Sequence, residues 1–286
     1  MSSYAITGAS KGIGREFVRQ LAADTTKTVL AIVRDPTSSG ISELASRLPN
    51  VHVIKGDVTD PDSILEAASA AAEVTGGKLD VLIHNSNAVD VATMSLNPTQ
   101  LPFDAQAIRR IFDPPFSTGI YGGIWTTNAF LPLIERGTQK KIVHISSAMA
   151  DLDLIKATGI SYGVAYSIGK AGMNVQVAKY AAELAPRGIK VLALSPGWVD
   201  TWEGKWPVAT FTGVIMETDM IAGEKPPEVM QAESVMLKQF QTAEPELKGQ
   251  IQPEESVRKS LEVIGRLDSK ASGFLLSHNG TRGKWL

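Results

Sequence analysis

The chain has 286 residues, 43% of them hydrophobic and 20% charged, with a formal net charge of -2. That is enough apolar material for one large α/β core or two small ones, and the near balance of charge argues against nucleic acid or an anionic membrane surface as partner. The chain has no cysteine, which excludes disulfides, thiolate nucleophiles and cysteine-ligated zinc and fits a reducing compartment.

The first apolar run begins at Tyr4, leaving no room ahead of it for a secretion signal, and no run approaches membrane-spanning length. The expected location is therefore cytoplasmic. Apolar runs then alternate with amphipathic segments: Tyr4 to Thr7, Val29 to Val33, Val51 to Ile54, Val81 to His84, Ile142 to Ser146, Val191 to Ser195 and Gly273 to Leu276. This alternation predicts an α/β fold, a doubly wound parallel seven-stranded sheet with helices on both faces. Asp60 and Pro61 supply an N-cap and first-turn proline for a helix over Ser63 to Val74, and a long helix through Tyr166 to Ala185 stops at Pro186 and Gly188. Two stretches interrupt the rhythm, Pro98 to Gly119 and Trp202 to about Gln250. The expected organisation is one domain, residues 1–286, with a substrate lid inserted at about 202–250 beyond the carboxyl edge of the sheet.

Directly after the first run comes Thr7-Gly8-Ala9-Ser10-Lys11-Gly12-Ile13-Gly14, followed by a helix from about Arg15. Glycines at 8, 12 and 14 allow a tight turn and let backbone amides approach a pyrophosphate at the helix N-terminus. The alternative is a glycine-rich turn without a ligand; its place between the first strand and first helix favours the dinucleotide. Lys11 and Arg34 sit where a ribose 2′-phosphate would lie, and Arg34 occupies the place of an acidic residue that would hold a ribose hydroxyl. This points to NADP(H), with Asp35 as the opposing feature.

Tyr166 and Lys170 lie four residues apart, on one side of the expected helix. A nearby cation favours a phenolate, so the pair has the makings of a proton-transfer centre. On its own, this spacing also occurs on many amphipathic helices.

With these motifs together, the chain resembles a short-chain dehydrogenase/reductase over nearly its whole length, Thr7 to Trp285. The glycine loop at 7 to 14, Asp57 in Gly56-Asp57-Val58, Ser147 in Ile145-Ser146-Ser147, Tyr166 with Lys170, and Pro196-Gly197 carry the resemblance. Ser272-Gly273-Phe274-Leu275, Asn279-Gly280 and Trp285 resemble the carbonyl-reductase-like branch. The resemblance implies a Rossmann fold, with Ser147, Tyr166 and Lys170 as catalytic residues. It implies cofactor contacts at Gly8, Ser10, Lys11, Gly12, Ile13, Gly14, Arg34, Asp57, Val58, Asn85, Tyr166, Lys170, Pro196, Gly197, Val199 and Thr201. Thr201 is the counted position for the cofactor-amide threonine; Thr218-Asp219-Met220 has a similar pattern at the wrong spacing.

Ketone reduction then needs a proton delivered to the oxygen as hydride reaches carbon. Tyr166 would supply the proton, Ser147 would hold the oxygen, and Lys170 would depress the Tyr166 pKa and grip the nicotinamide ribose. Ser147, Tyr162, Trp198 and Trp202 are the expected substrate contacts. Trp198, Trp202 and Trp206, followed by Phe211, Val214, Ile215 and Met216, suit a bulky hydrophobic or aromatic small molecule; a packing core is the alternative. Two departures stand out. Asn87 in His84-Asn85-Ser86-Asn87 replaces the family's glycine, and Gly119 falls where the family has a fourth catalytic residue, an asparagine. They motivate an alternative, an NADP-binding protein with lost or changed chemistry, a non-redox cyclase or a binding module.

Gly159-Ile160-Ser161-Tyr162-Gly163 spells a hydrolase nucleophile elbow, but a polar loop precedes it instead of a strand. The histidines at 52, 84, 144 and 278 show no ligand spacing and read as structural, so no metal is expected. The expected partner is a small-molecule carbonyl or alcohol, with no nucleic acid and no membrane. Oligomeric state is left open among monomer, dimer and tetramer.

Overall fold

Uninterrupted runs of apolar, often β-branched residues form strands that are buried on both faces, and segments that repeat every three to four residues form the helices covering them. In the computed structural model, which describes residues 2–202, 208–209, 215–216, 225 and 227–286, the order begins β1 (Ser3–Thr7), α1 (Gly12–Ala22), β2 (Thr28–Val33), α2 (Ser39–Arg47), β3 (Val51–Lys55), α3 (Pro61–Thr75) and β4 (Val81–His84). It continues with α4 (Ala105–Pro115), α5 (Gly122–Arg136), β5 (Lys141–Ile145), α6 (Leu152–Thr158), α7 (Val164–Leu184) and β6 (Lys190–Ser195). Two short strands, β7 (Val208–Ala209) and β8 (Ile215–Met216), precede α8 (Pro227–Ala243), α9 (Pro253–Arg266) and β9 (Leu275–Ser277).

Seven strands form one parallel sheet in the order β3-β2-β1-β4-β5-β6-β9. This is the expected doubly wound, Rossmann-like sheet. Phe17, Val18, Leu21, Ile41, Val257 and Ile264 pack one face, and Ile64, Ala67, Phe130, Ile134, Val177 and Leu184 pack the other. The strand order reverses between β1 and β4, so their carboxyl ends open the crevice where ligands bind in such sheets.

The rhythm break at Pro98 to Gly119 is not irregular throughout. It holds α4, and Phe116–Tyr121 continues it as a π-helical turn. Pro114 and Pro115 lack the N–H groups an α-helix needs, and a widened turn follows them. Residues 151–156, expected in the Ser147 to Tyr166 connection, begin α6, with the Asp151 carboxylate accepting from Leu154 N at 2.8 Å.

Of the insertion expected at 202–250, the described part comprises β7, β8, Lys225 and most of α8 and its flanks; Trp206, Phe211, Val214 and the Thr218-Asp219-Met220 triplet lie outside the described residues. Its two flanks meet: Ile251 N donates to Trp198 O at 2.8 Å and Asp200 N to Ile251 O at 2.9 Å. Lys225 Nζ ties the same place together, 3.0 Å from Asp200 Oδ2 and 2.7 Å from Glu233 Oε1. No helix among the described residues is long and apolar enough to cross a membrane.

At the opposite edge, buried Asp80 joins three segments. Its carboxylate accepts from Ser3 N at 2.9 Å, Thr138 N at 2.8 Å and Gln139 N at 3.1 Å. Burial would raise its pKa, but these donors together hold it below the ordinary value. Asp80→Ala strands the buried Ser3 N–H and the part-buried Thr138 and Gln139 N–H groups and is expected to cost about 2 kcal/mol in urea unfolding; a loss under about 0.5 kcal/mol would show that other groups satisfy these donors.

Candidate active site

Helix α7 starts after Gly163, which takes a left-handed φ of +67°, and buries Ala165, Gly169, Met173, Val177, Ala181 and Leu184. This stripe places Tyr166 and Lys170 side by side. Glycine at 169 and 172 permits close packing, because a Cβ there would lie 3.1 Å from Pro115 Cβ and 2.9 Å from Ile120 Cδ1 respectively. Lys170 is 4% exposed; its Nζ donates to Ile145 O at 2.7 Å and sits 5.8 Å from the Tyr166 ring centroid.

Burial disfavours the ammonium and lowers the Lys170 pKa to about 7. Burial also raises the Tyr166 pKa, with a hydrogen bond from Ser147 pulling the other way. The sequence leads to the expectation that Lys170 depresses Tyr166; desolvation of the phenol is the larger effect here and shifts its pKa upward. Ser147 ends β5 and caps a three-residue turn, its Oγ accepting from Met149 N at 3.1 Å. The same hydroxyl faces Tyr166, so the capping role and the site role coexist.

The glycine loop follows β1. At Gly14 a Cβ would stand 2.2 Å from Gly8 O, so only glycine lets α1 approach the strand. Gly8 has a φ of +65° and Gly12 of +54°. Lys11 provides no side-chain cap and the first turn of α1 holds no acidic residue, which leaves its positive dipole end directed at the loop. Ser10 and Ile13 are half-buried within the loop. Asn85 Nδ2 donates to Thr7 O at 3.3 Å and Gly8 O at 3.2 Å, bracing the loop from β4.

Lys11 and Arg34 are exposed beside the loop. Asp35 is engaged with Thr37: its Oδ1 accepts from Thr37 Oγ1 at 2.6 Å and Thr37 N at 2.9 Å, which lowers its pKa. Asp57 makes the same kind of turn, with Oδ1 accepting from Thr59, and buried Val58 follows it ahead of α3.

From the far side, Pro196 O accepts from Ser256 Oγ at 2.6 Å, and Gly197 takes a φ of +88° where a Cβ would lie 2.9 Å from the His278 ring. Val199 bridges to Ile251, and the Thr201 methyl comes 3.7 Å from where a Gly12 Cβ would lie, so this segment closes over the glycine loop. Trp198 packs edge-on against Phe240 of α8, with ring centroids 5.3 Å apart. Tyr162 donates its hydroxyl to Gln239 Oε1 at 3.0 Å, joining α8 to the approach to α7. Trp202 is half-buried, its backbone N–H held by Asp200 Oδ1 at 3.1 Å. A cavity beside Tyr166 is lined by Met94, Ile111, Pro115 and Val164. A larger cleft of about 750 Å³ lies between α6, the end of α8 and Trp285, and none of Ser147, Tyr166 or Lys170 lines it.

The hydrolase-like sequence has no elbow: it follows α6, and the Ser161 hydroxyl donates to Asn97 Oδ1 at 2.6 Å. Among the described residues no group of three or more histidine or acidic side chains could hold a metal. What sequence reading did not give is that Thr7, His84 and Thr118 are hydrogen-bonded to one another across the sheet's carboxyl edge; the signal available was a histidine at 84, ending an apolar run.

A glycine loop at the switch point of a doubly wound sheet, facing a serine, tyrosine and lysine from the next crossover, defines the class as nucleotide-binding α/β oxidoreductases. The short chain dehydrogenase profile matches residues 3–205, and the chain belongs to that family. It is 41% identical to the short-chain dehydrogenase/reductase atnB of an Arthrinium species, over 98% of each chain. It is 34% identical to the short chain dehydrogenase virK of Hypocrea virens over the full length of both. Among solved structures it resembles the NADPH-bound carbonyl reductase from chicken fatty liver, with a TM-score of 0.72 and 25% identity over 98% of each chain.

His84 and His144 are fully buried with ring centroids 5.3 Å apart. Burial, with Lys170 as the nearby cation, lowers the pKa of His84 from 6.5 to about 4, and that of His144 falls well below its ordinary value through burial, His84 and Lys170. Below pH 6.5 the unfolded chain binds protons that the folded chain refuses. Stability is therefore full above pH 6.5 and is lost as pH falls toward 4, with His84 alone accounting for on the order of 3 kcal/mol. Urea midpoints measured between pH 7 and 4.5 should fall with acidity, and His84→Phe should flatten that slope; an unchanged slope refutes the assignment.

Proposed function

We propose that the protein is an NADP(H)-dependent oxidoreductase that interconverts a carbonyl and an alcohol on a bulky hydrophobic or aromatic small molecule. The observation that carries this reading is the convergence of the Ser147 hydroxyl on the half-buried Tyr166, with Lys170 beside it.

The residues present suit the cofactor. Gly8, Ser10, Gly12, Ile13 and Gly14 would hold the pyrophosphate at the α1 N-terminus, Lys11 and Arg34 the 2′-phosphate, and Asp57 and Val58 the adenine. Asn85, Pro196, Gly197, Val199 and Thr201 would enclose the nicotinamide side, and the structural likeness to an NADPH-bound carbonyl reductase supports that choice. When bound, NADPH supplies the hydride. The chain's own residues do the rest: Ser147 donates a hydrogen bond to the carbonyl oxygen, and Tyr166 transfers its phenolic proton to that oxygen as negative charge grows there. Lys170, anchored on Ile145 O, stabilises the phenolate left behind and is placed to hold the nicotinamide ribose. In the reverse direction the same phenolate accepts the alcohol proton. Tyr162, Trp198 and Trp202, with Phe240 behind Trp198, offer an aromatic wall to the substrate. Residues 1–286 would act as one cofactor-binding domain.

Gly119 favours a second reading, a protein that keeps the cofactor site but not the redox step. A Cβ there would meet Met173 Cε at 3.3 Å, and no side chain extends from this position toward Lys170. Turnover decides between the two.

NADPH oxidation assayed on aromatic ketones and quinones should proceed, and Tyr166→Phe should lower kcat by about 10³-fold while NADPH binding stays within a few fold. Tight NADPH binding with no turnover of any carbonyl compound would favour the second reading. NADPH should bind more tightly than NADH, and Arg34→Ala should remove about 10- to 100-fold of NADPH affinity while sparing NADH; equal native affinities would refute the cofactor preference.

A further inference from the structure

The carboxyl ends of β1, β4 and β5 run level, with Ile6 opposite Ile83 and His84 opposite His144. In this row the Thr7 hydroxyl accepts from Asn85 N at 3.1 Å and Ser86 N at 3.2 Å. Both of its lone pairs are then used, and its proton points to its third neighbour, His84 Nδ1, at 3.3 Å. On the other side of the ring, His84 Nε2 is 3.0 Å from Thr118 O, a carbonyl that can only accept. The contacts therefore permit one state, a neutral imidazole carrying its proton on Nε2. Thr118 closes the circuit, because its hydroxyl accepts from Ala88 N at 3.0 Å and donates to Pro114 O at 2.7 Å.

We propose that His84 is a positioning residue that clamps the 84–88 segment between the glycine loop and the π-helical turn, setting the shelf on which the dinucleotide lies. The circuit runs from Thr7 to His84, to Thr118, to Ala88, and back through Ser86 to Thr7. Gly119 adjoins Thr118 and has no side chain to anchor this turn; the imidazole supplies an anchor through the neighbouring carbonyl instead. His84 touches neither Tyr166 nor Ser147 by hydrogen bond, so it acts through the shelf. Lost circuit bonds loosen Asn85 and the glycine loop together, since Asn85 is fastened to Thr7 and Gly8.

The proposal rests on the reading that NADP(H) binds here, and NADPH titration of the native protein tests that reading separately. His84→Phe fills the same buried space without donor or acceptor; His84→Gln restores one of each. His84→Phe should weaken NADPH binding and raise its KM by about tenfold, while His84→Gln stays within about threefold of native, the effect of one or two hydrogen bonds. A variant that is merely less well folded lowers kcat with no change in the KM or Kd for NADPH, and that result overturns the proposal. Long-range ¹H–¹⁵N spectra of the native protein at pH 6 should show His84 neutral and protonated on Nε2; an Nδ1-protonated or cationic ring overturns it, whether or not the variants fold.

Discussion

Residues that face the candidate site hang from one edge of a parallel sheet buried on both faces. Parallel strands end together, and the reversal of order between β1 and β4 splits the helices to opposite faces, so that edge is the one place where backbone and side chains can meet a ligand. The constraint has a cost. Polar groups at the ends of such strands are buried and must be bonded within the protein. Thr7 and His84 meet it by bonding to each other and to neighbouring turns, and the Ile145 carbonyl at the end of β5 meets it by accepting from Lys170 of α7.

Burial also sets the chemistry. Desolvation lowers Lys170 to about 7 and raises Tyr166, so the pair is poised with a neutral phenol and an ammonium that is easily discharged. The Ser147 hydroxyl opposes the rise at Tyr166. An acid that is neutral at rest and close to a cation when ionised suits proton delivery to a growing oxyanion. The small residues at 169 and 172 let α7 pack closely against Pro115 of α4 and Ile120 of the π-helical turn.

Most of this was legible one residue at a time. Strands were readable because a strand buried on both faces must be apolar throughout; the glycine loop was readable because a Cβ at Gly14 would strike Gly8 O. The serine, tyrosine and lysine stood out by type and spacing. The helix at 105–115 was not, because two prolines hide its end, and the π-helical turn after it depends on which amides are missing. Tyr162 was read from the sequence as a substrate contact; its bond to Gln239, which joins elements 77 residues apart, had no local signal. The histidine at 84 looked like a packing residue among apolar neighbours, since nothing local names its partners.

By itself, then, the sequence determined the elements, the nucleotide-loop geometry and which polar groups were candidates for the site, because these follow from local sterics, hydrophobic period and intrinsic chemistry. Only the tertiary structure decided how those groups behave. The direction in which burial shifts Tyr166 and Lys170, the hydrogen-bond partners of His84 and the turning of Asp35 onto Thr37 are set by burial and by contacts between distant segments. Dielectric surroundings and partners from distant segments come into existence only when the sheet and its crossovers are assembled.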